Sequence, residues 1–317
     1  MRRPTRTSIV PPRLASLPAA RAQLEYSSRS IVFTGDGARM LRAWGSPERP
    51  WVLAVEPDGA RWRVEAWGAG PRTARAAARS LFSLDHPLEE FYRLVRAEPV
   101  LRGTERRFRG LRLPRDANVY EALLHSIVGQ QISVAAANAI KRRLLDGLGV
   151  ALDADGVSVP CVPPPSRVLA AGAEGLRPYG LSSAKARALV ELARWVGDGA
   201  PSSGELARRP LSAACAELES LRGVGRWTAE NALLRGVGRT DVFVAGDLGL
   251  RVALARFGAL ARDAPEEQVR AWGERWYRGW GSYATLYLWR KLVAERSTPD
   301  PRASSTPPPS GNGATVR

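Results

Sequence analysis

The stretch Glu219-Ser220-Leu221-Arg222-Gly223-Val224-Gly225-Arg226-Trp227-Thr228-Ala229-Glu230 sits between two runs whose apolar residues recur at helical spacing. Leu221 stands two residues before Gly223, Val224 separates the glycines, and a helix begins at once. Two glycines open backbone angles closed to other residues. The first-turn amides of the second helix then point outward without intrahelical partners. Such a surface takes a phosphate whatever base is attached, which positions a nucleic acid without reading it. Gly-Val-Gly by itself reads equally well as a tight helix–helix turn, so the rest of the chain has to decide.

Asp247 lies 20 residues past Trp227, within Thr240-Asp241-Val242-Phe243-Val244-Ala245-Gly246-Asp247-Leu248-Gly249-Leu250-Arg251. A short apolar run ends at Gly246, and a helix is predicted to start around Asp247. On its own such an Asp is a helix cap, worth ~1 kcal/mol. The positive end of the helix also favours an anion there. A carboxylate kept charged suits an aspartate that must stabilise a cation.

Lys+Arg number 47 against 31 Asp+Glu, a net charge of +16 over 317 residues. The basic residues are Arg except for Lys141, Lys185 and Lys291. Arg replacing Lys reflects composition bias, but the excess over acids points to a polyanionic partner, nucleic acid before an anionic membrane. Two cysteines, Cys161 and Cys215, exclude a disulfide framework, an all-cysteine zinc site and a four-cysteine iron–sulfur cluster. Two histidines, His86 and His125, argue against a His-based metal site. No apolar run approaches the ~20 residues of a membrane span.

Four regions follow from patterning. Residues 1–25 read as a basic flexible tail; their Arg- and Ser-rich composition also fits a transit peptide. Residues 26–100 read as a small α+β domain: β-favouring runs at Ile31–Phe33 and Trp51–Val55, and a hairpin over 51–67. Pro71 then opens an Ala-rich helix running to Leu84. Residues 101–115 carry six Arg and read as a basic connector. The remainder of 101–296 reads as helical: Tyr120–Leu145, Ser166–Ala173, 182–197 with Ser182 as cap, 211–220, 226–236, 247–257 and 265–293, with no strand of comparable strength. Residues 297–317, rich in Ser, Thr, Pro and Gly, read as a disordered tail.

Leu-x-Gly-Val-Gly-x-Trp-Thr-Ala, followed by Asp-Val-Phe and an Asp four residues beyond that Phe, resembles the helix-hairpin-helix DNA glycosylases, and within them the DNA-3-methyladenine glycosylase II branch. The resemblance extends to Gly129-Gln130-Gln131-Ile132-Ser133, to Gly180-Leu181-Ser182-Ser183-Ala184-Lys185-Ala186, and to Arg275-Trp276 through Trp280, Ser282-Tyr283 and Trp289. It covers residues 80–293. It implies a mostly α fold, helical glycosylase domains with the helix-hairpin-helix at 211–236, preceded by a small α+β N-terminal domain.

By the same resemblance, Asp247 matches the catalytic aspartate, acting on a nucleotide flipped out of the duplex. Trp227, Trp289 and Asn231 match base-pocket positions, where an indole face attracts a cationic base by ~0.5–2 kcal/mol. Trp227 also stands where bifunctional members carry their Schiff-base lysine, so a monofunctional enzyme that leaves an abasic site is implied. Gln130, Gln131 and Ile132, with Gln131 as the wedge, and Gly223, Val224, Gly225 and Thr228 match DNA-binding positions. The carbonyls of Leu221 and Val224 match those that hold a monovalent cation; no cofactor is otherwise required. Two departures bear on base choice: Asn231 stands where relatives often have Tyr, and Ala245-Gly246 replace a frequent Pro-Asp or Ala-Asp. Trp272, Trp276 and Trp280, at i, i+4 and i+8, read as core. The expected partner is double-stranded DNA with damaged bases, the expected state a cytoplasmic, nucleoid-associated bacterial monomer off the membrane. The competing reading is a non-catalytic helix-hairpin-helix DNA-binding protein.

Overall fold

Alternation along two strands sorts the N-terminal part of the molecule. In the computed structural model, which describes residues 3–13, 15–18, 20, 33–34 and 39–296, five strands form one antiparallel sheet. They are β1 (Thr5–Ile9), β2 (Phe33–Thr34), β3 (Met40–Gly45), β4 (Pro50–Asp58) and β5 (Arg61–Trp67), in the order β1-β5-β4-β3-β2. Met40, Leu53, Val55, Trp62 and Val64 face α1 (Pro71–Leu81), which presents Ala74, Ala77, Ala78 and Leu81 at helical spacing. Leu41, Val52, Ala54 and Trp67 face the other way. The expected hairpin over 51–67 is present, and Pro71 starts the helix, which ends at Leu81. The expectation that 1–25 is wholly a tail is corrected. Thr5–Ile9 is an edge strand on β5, with Ile9 and Leu17 buried and Arg6 ion-paired to Glu65 at 2.8 Å.

The stretch 101–115, read as a basic connector, packs into the body. After α2 (Leu88–Ala97) it forms the short α3 (Thr104–Arg107) and buries Leu101, Leu111 and Leu113. Arg112 turns inward to donate to the carbonyls of Ser83 (2.7 Å) and His86 (3.1 Å). The central helix is α4 (Val119–Gly129), capped by Asn118 and buried on every face from Val119 to Val128. Its chain breaks at Gln130–Ser133 before α5 (Val134–Leu148), so the single run over 120–145 becomes two helices. Ser133 caps α5, and Gln131 takes a left-handed φ of 54°.

A hairpin that patterning did not anticipate follows: β6 (Val150–Ala154) and β7 (Val157–Cys161). Its loop is Asp155-Gly156, both at positive φ, the two-residue turn whose twist suits a hairpin. It packs Ala154 and Val159 onto the sheet face of Leu41, Val52 and Ala54, and Asp155 accepts the Trp67 indole N–H at 3.1 Å. The helices α6 (Pro165–Leu176), α7 (Ser183–Gly197), α8 (Ser203–Arg208), α9 (Leu211–Glu219), α10 (Arg226–Ala232) and α11 (Leu248–Arg256) complete the body with α12 (Glu266–Tyr277) and α13 (Gly281–Arg296). The predicted helix over 265–293 is thus two, parted near Gly279 at φ 78°. Trp272, Trp276 and Trp280 do not share one helix, but each is half-buried against the helical core. The molecule is mostly α, with one small antiparallel α+β part before the helical body. Residues 297–317, expected to be disordered, lie outside the described residues.

Candidate active site and nucleic-acid interface

The hairpin is built as its glycines require. Gly223 has φ 85°, and a Cβ there would stand 2.8 Å from the Ala188 side chain on α7. Only glycine satisfies both the turn and that close approach. Val224 is buried, so the loop presents backbone and not an apolar side chain. Gly225 is the N-cap of α10 and has no side chain to offer its first turn. The amides of Arg226, Trp227 and Thr228 therefore have no carbonyl one turn back and are left for an outside acceptor. The Leu221 carbonyl accepts the Val224 amide at 3.0 Å and keeps a second lone pair. Neutral backbone oxygens from Leu221 and Val224 are a donor set that fits a monovalent cation.

Asp247 caps α11 as the sequence predicts. Its Oδ1 accepts the Leu250 amide at 2.8 Å and the Trp289 indole N–H at 2.9 Å. Its Oδ2 accepts the Trp227 indole N–H at 3.0 Å. Three donors aimed at one half-buried carboxylate fix its orientation. Trp227 comes from the hairpin helix and Trp289 from α13, so the carboxylate joins segments far apart in sequence. Both indoles are half-buried, and Arg235 lies over one face of Trp289, 5.7 Å from the ring centre.

The other expected residues divide into those that face out and those that brace. Gln131 and Ile132 are exposed on the turn between α4 and α5, beside the exposed Val134. Gln130 turns inward: its amide nitrogen donates to the Gly223 carbonyl and the Thr228 hydroxyl, each at 2.9 Å. The Thr228 side chain is buried and Gln130 is half-buried, so both side chains are engaged within the protein here. Together they tie the α4–α5 turn to the hairpin. Asn231 is buried, and its amide nitrogen donates to the Trp227 carbonyl at 2.9 Å.

Two features were not assigned from sequence. Lys185 donates to the carbonyls of Val128 and Gln130, each at 2.8 Å, and so holds the base of the Gln131 turn. Desolvation pushes its pKa down. Glu230, at 1% exposure, accepts from Arg226 and Arg270. Its signal was available: a lone acid between Thr228-Ala229 and Asn231-Ala232-Leu233-Leu234, at the start of a buried helix. Elsewhere, Asp116, Glu121 and His125 lie buried within reach of one another. There Arg42 pairs with Glu121 at 2.5 Å, and burial, then the nearby charge of Lys141, oppose protonation of His125. Acids matched by buried cations make this a packing element, not a metal site.

These elements define a class before any single relative does. The model for the HhH-GPD superfamily base excision DNA repair protein matches residues 124–278. Over those residues the chain is similar to the helix-hairpin-helix DNA glycosylase superfamily. Among individual proteins, it is 29% identical over 211 residues to a DNA-3-methyladenine glycosylase of Bacillus subtilis, covering 67% of this chain and 69% of that one. It is 34% identical over 185 residues to DNA-3-methyladenine glycosylase 2 of Escherichia coli, spanning 57% of this chain and 60% of that protein. Among solved structures, a 3-methyladenine DNA-glycosylase from Archaeoglobus fulgidus superposes with a TM-score of 0.78 at 26% identity, over 90% of this chain and 98% of that one.

Proposed function

We propose that this protein is a monofunctional DNA glycosylase that removes alkylated purines from duplex DNA, acting as a monomer. The observation that carries the reading is the Asp247 carboxylate, held by the Trp227 and Trp289 indoles and the Leu250 amide. The relatives named for 3-methyladenine support the substrate class. In the reaction, the C1′–N bond of a flipped nucleotide breaks, and its electron pair cancels the positive charge of the alkylated base. The sugar gains oxocarbenium character, which Asp247 stabilises. A water oxygen then bonds to C1′, and its proton passes to bulk water. Ordinary glycoside hydrolysis needs a second carboxyl to protonate the leaving group. A purine already cationic does not, so a single carboxylate suffices.

The hairpin amides and the surplus of arginine hold the phosphates. Leu221 and Val224 would hold a monovalent cation, which would add positive charge on the phosphate side. Gln131, at its left-handed φ and exposed, is the residue that fills the stack vacated by the base, with Ile132 beside it.

The test is a panel of duplexes each holding one lesion, 7-methylguanine, hypoxanthine and etheno-adenine among them, incubated with wild type and Asp247→Asn. Asparagine keeps the shape and much of the capping but loses the charge. Base release by wild type, reduced at least ~100-fold in the variant with binding retained, is expected. Equal excision by both would place the catalytic group elsewhere. Binding without excision by either would leave a non-catalytic DNA-binding protein.

A further inference from the structure

We propose that Glu230 is a positioning residue of the excision reaction, linking the DNA-holding hairpin to the loop that carries Asp247. The inference rests on the glycosylase reading above. Glu230 is on α10, three residues beyond Trp227, and its Oε1 accepts from Arg226 Nε at 2.9 Å and from Arg270 Nη1 at 2.5 Å. Arg270, on α12, gives its other terminal nitrogen to Glu266 Oε1 at 2.7 Å. The second oxygen of Glu266 stands 3.0 Å from where a Cβ of residue 246 would be. Gly246 is the peptide neighbour of Asp247. At the opposite end, Arg226 also reaches Glu219 on α9, at 3.6 Å. A line of alternating charges therefore runs from one arm of the hairpin, across α10 and α12, to the residue before the catalytic carboxylate.

Stability alone is a poor explanation for this arrangement. Burying a carboxylate is costly, and an apolar replacement of similar volume often leaves a protein as stable or more so. What charges provide is direction. Arg270 spans two carboxylates with the two nitrogens of one rigid planar fork, so it fixes the distance from α10 to the start of α12. Glu230 fixes the rotation of α10, and that rotation sets where the Trp227 indole meets Asp247. Errors near 1 Å in such a geometry can cost about a hundredfold in rate. Gly246 leaves room for this: a Cβ there would stand 3.0 Å from Glu266 Oε2, so the carboxylate would have to shift by a few tenths of an ångström. The Oε2 of Glu230 is buried with no hydrogen-bond partner, so the residue is held by Oε1 alone and depends on both arginines.

The experiment measures three quantities on the full chain: single-turnover excision of 7-methylguanine, affinity for undamaged duplex, and Tm. Glu230→Gln is expected to slow excision ~10-fold or more while affinity changes less than threefold. Arg270→Gln should do the same, and Arg270→Lys should recover part of the rate. Gly246→Ala leaves the ion pairs their charges but moves Glu266; it should slow excision too, and combining it with Arg270→Gln should add little, because both break one link. Excision at the wild-type rate in Glu230→Gln, or in both Arg270→Gln and Gly246→Ala should Glu230→Gln not fold, overturns the proposal. So does a loss of rate and affinity together in proportion to a fall in Tm. Failure of the glycosylase reading is distinguishable, because then the wild-type protein itself releases no base.

Discussion

Lysine is scarce in this chain, and each of the three has its ammonium engaged or buried. Lys185 donates to Val128 and Gln130, Lys291 donates to the Val100 carbonyl at 2.7 Å, and Lys141 is buried beside His125. An amine that attacks C1′ must be free, neutral and next to the flipped sugar. The group closest to Asp247 from the hairpin is instead the Trp227 indole, which donates to the carboxylate and cannot form an imine. Borohydride added during turnover is therefore expected to trap no protein on damaged DNA, with product strands breaking only after hot alkali. Efficient trapping that disappears in Lys185→Met would overturn the monofunctional assignment. At this scale the sequence was legible where local geometry dominates: the cap at Asp247 follows from its position. Inward turns of Gln130 and Asn231 were not legible, because their partners, Gly223, Thr228 and the Trp227 carbonyl, are chosen by tertiary contacts.

Elements were legible where one periodicity held, and blurred where two helices met without a proline. The α4–α5 and α12–α13 breaks each fall at a short turn inside a continuous apolar pattern, so spacing alone merges them. The β6–β7 hairpin carries its own signal, Asp155-Gly156 between alternating residues, overshadowed by the helices around it. The hairpin between α9 and α10 was the most readable element, because its glycines answer to backbone geometry. Gly223→Ala tests it directly. A left-handed φ on a residue with a Cβ costs ~1–2 kcal/mol, and the methyl meets Ala188 at once. Fluorescence anisotropy is expected to show a several-fold loss of affinity, equal for damaged and undamaged duplex, since the contact carries no base information. A loss confined to damaged DNA would mean that the hairpin reads the lesion.

Across the whole molecule, buried polar contacts lock the sheet to the helices. Arg42 on β3 is 1% exposed and donates to Glu121 on α4 and to the Arg115 carbonyl at 3.1 Å. Arg42→Met strands the Glu121 charge in the interior, and urea unfolding is expected to show a loss of ~3–5 kcal/mol. A neutral result would mean that Glu121 finds another partner. Both histidines, likewise, are kept neutral by the fold. Desolvation, then Arg115 and Arg112, push His86 down to about 4; desolvation and Lys141 push His125 down as well. The folded state resists a proton that the unfolded chain accepts near 6.5. The resulting stabilisation is complete above that value and is lost as pH falls toward 4. Tm is expected to drop between pH 6.5 and 4.5, and less steeply in His86→Gln; an unchanged slope in that variant would exclude His86 as a source.

The β6–β7 hairpin, inserted into the helical half and lying on the outer face of the N-terminal sheet, removes any clean seam near residue 100. Cutting there would uncover Ala154 and Val159 on one fragment and Leu41, Val52 and Ala54 on the other, and would leave Glu121 without Arg42. The two parts are consecutive in the gene but interlocked in space. A shortened version retaining only the helical repair body is thus expected to be insoluble on expression, and grafting that body onto another carrier would need its sheet brought along.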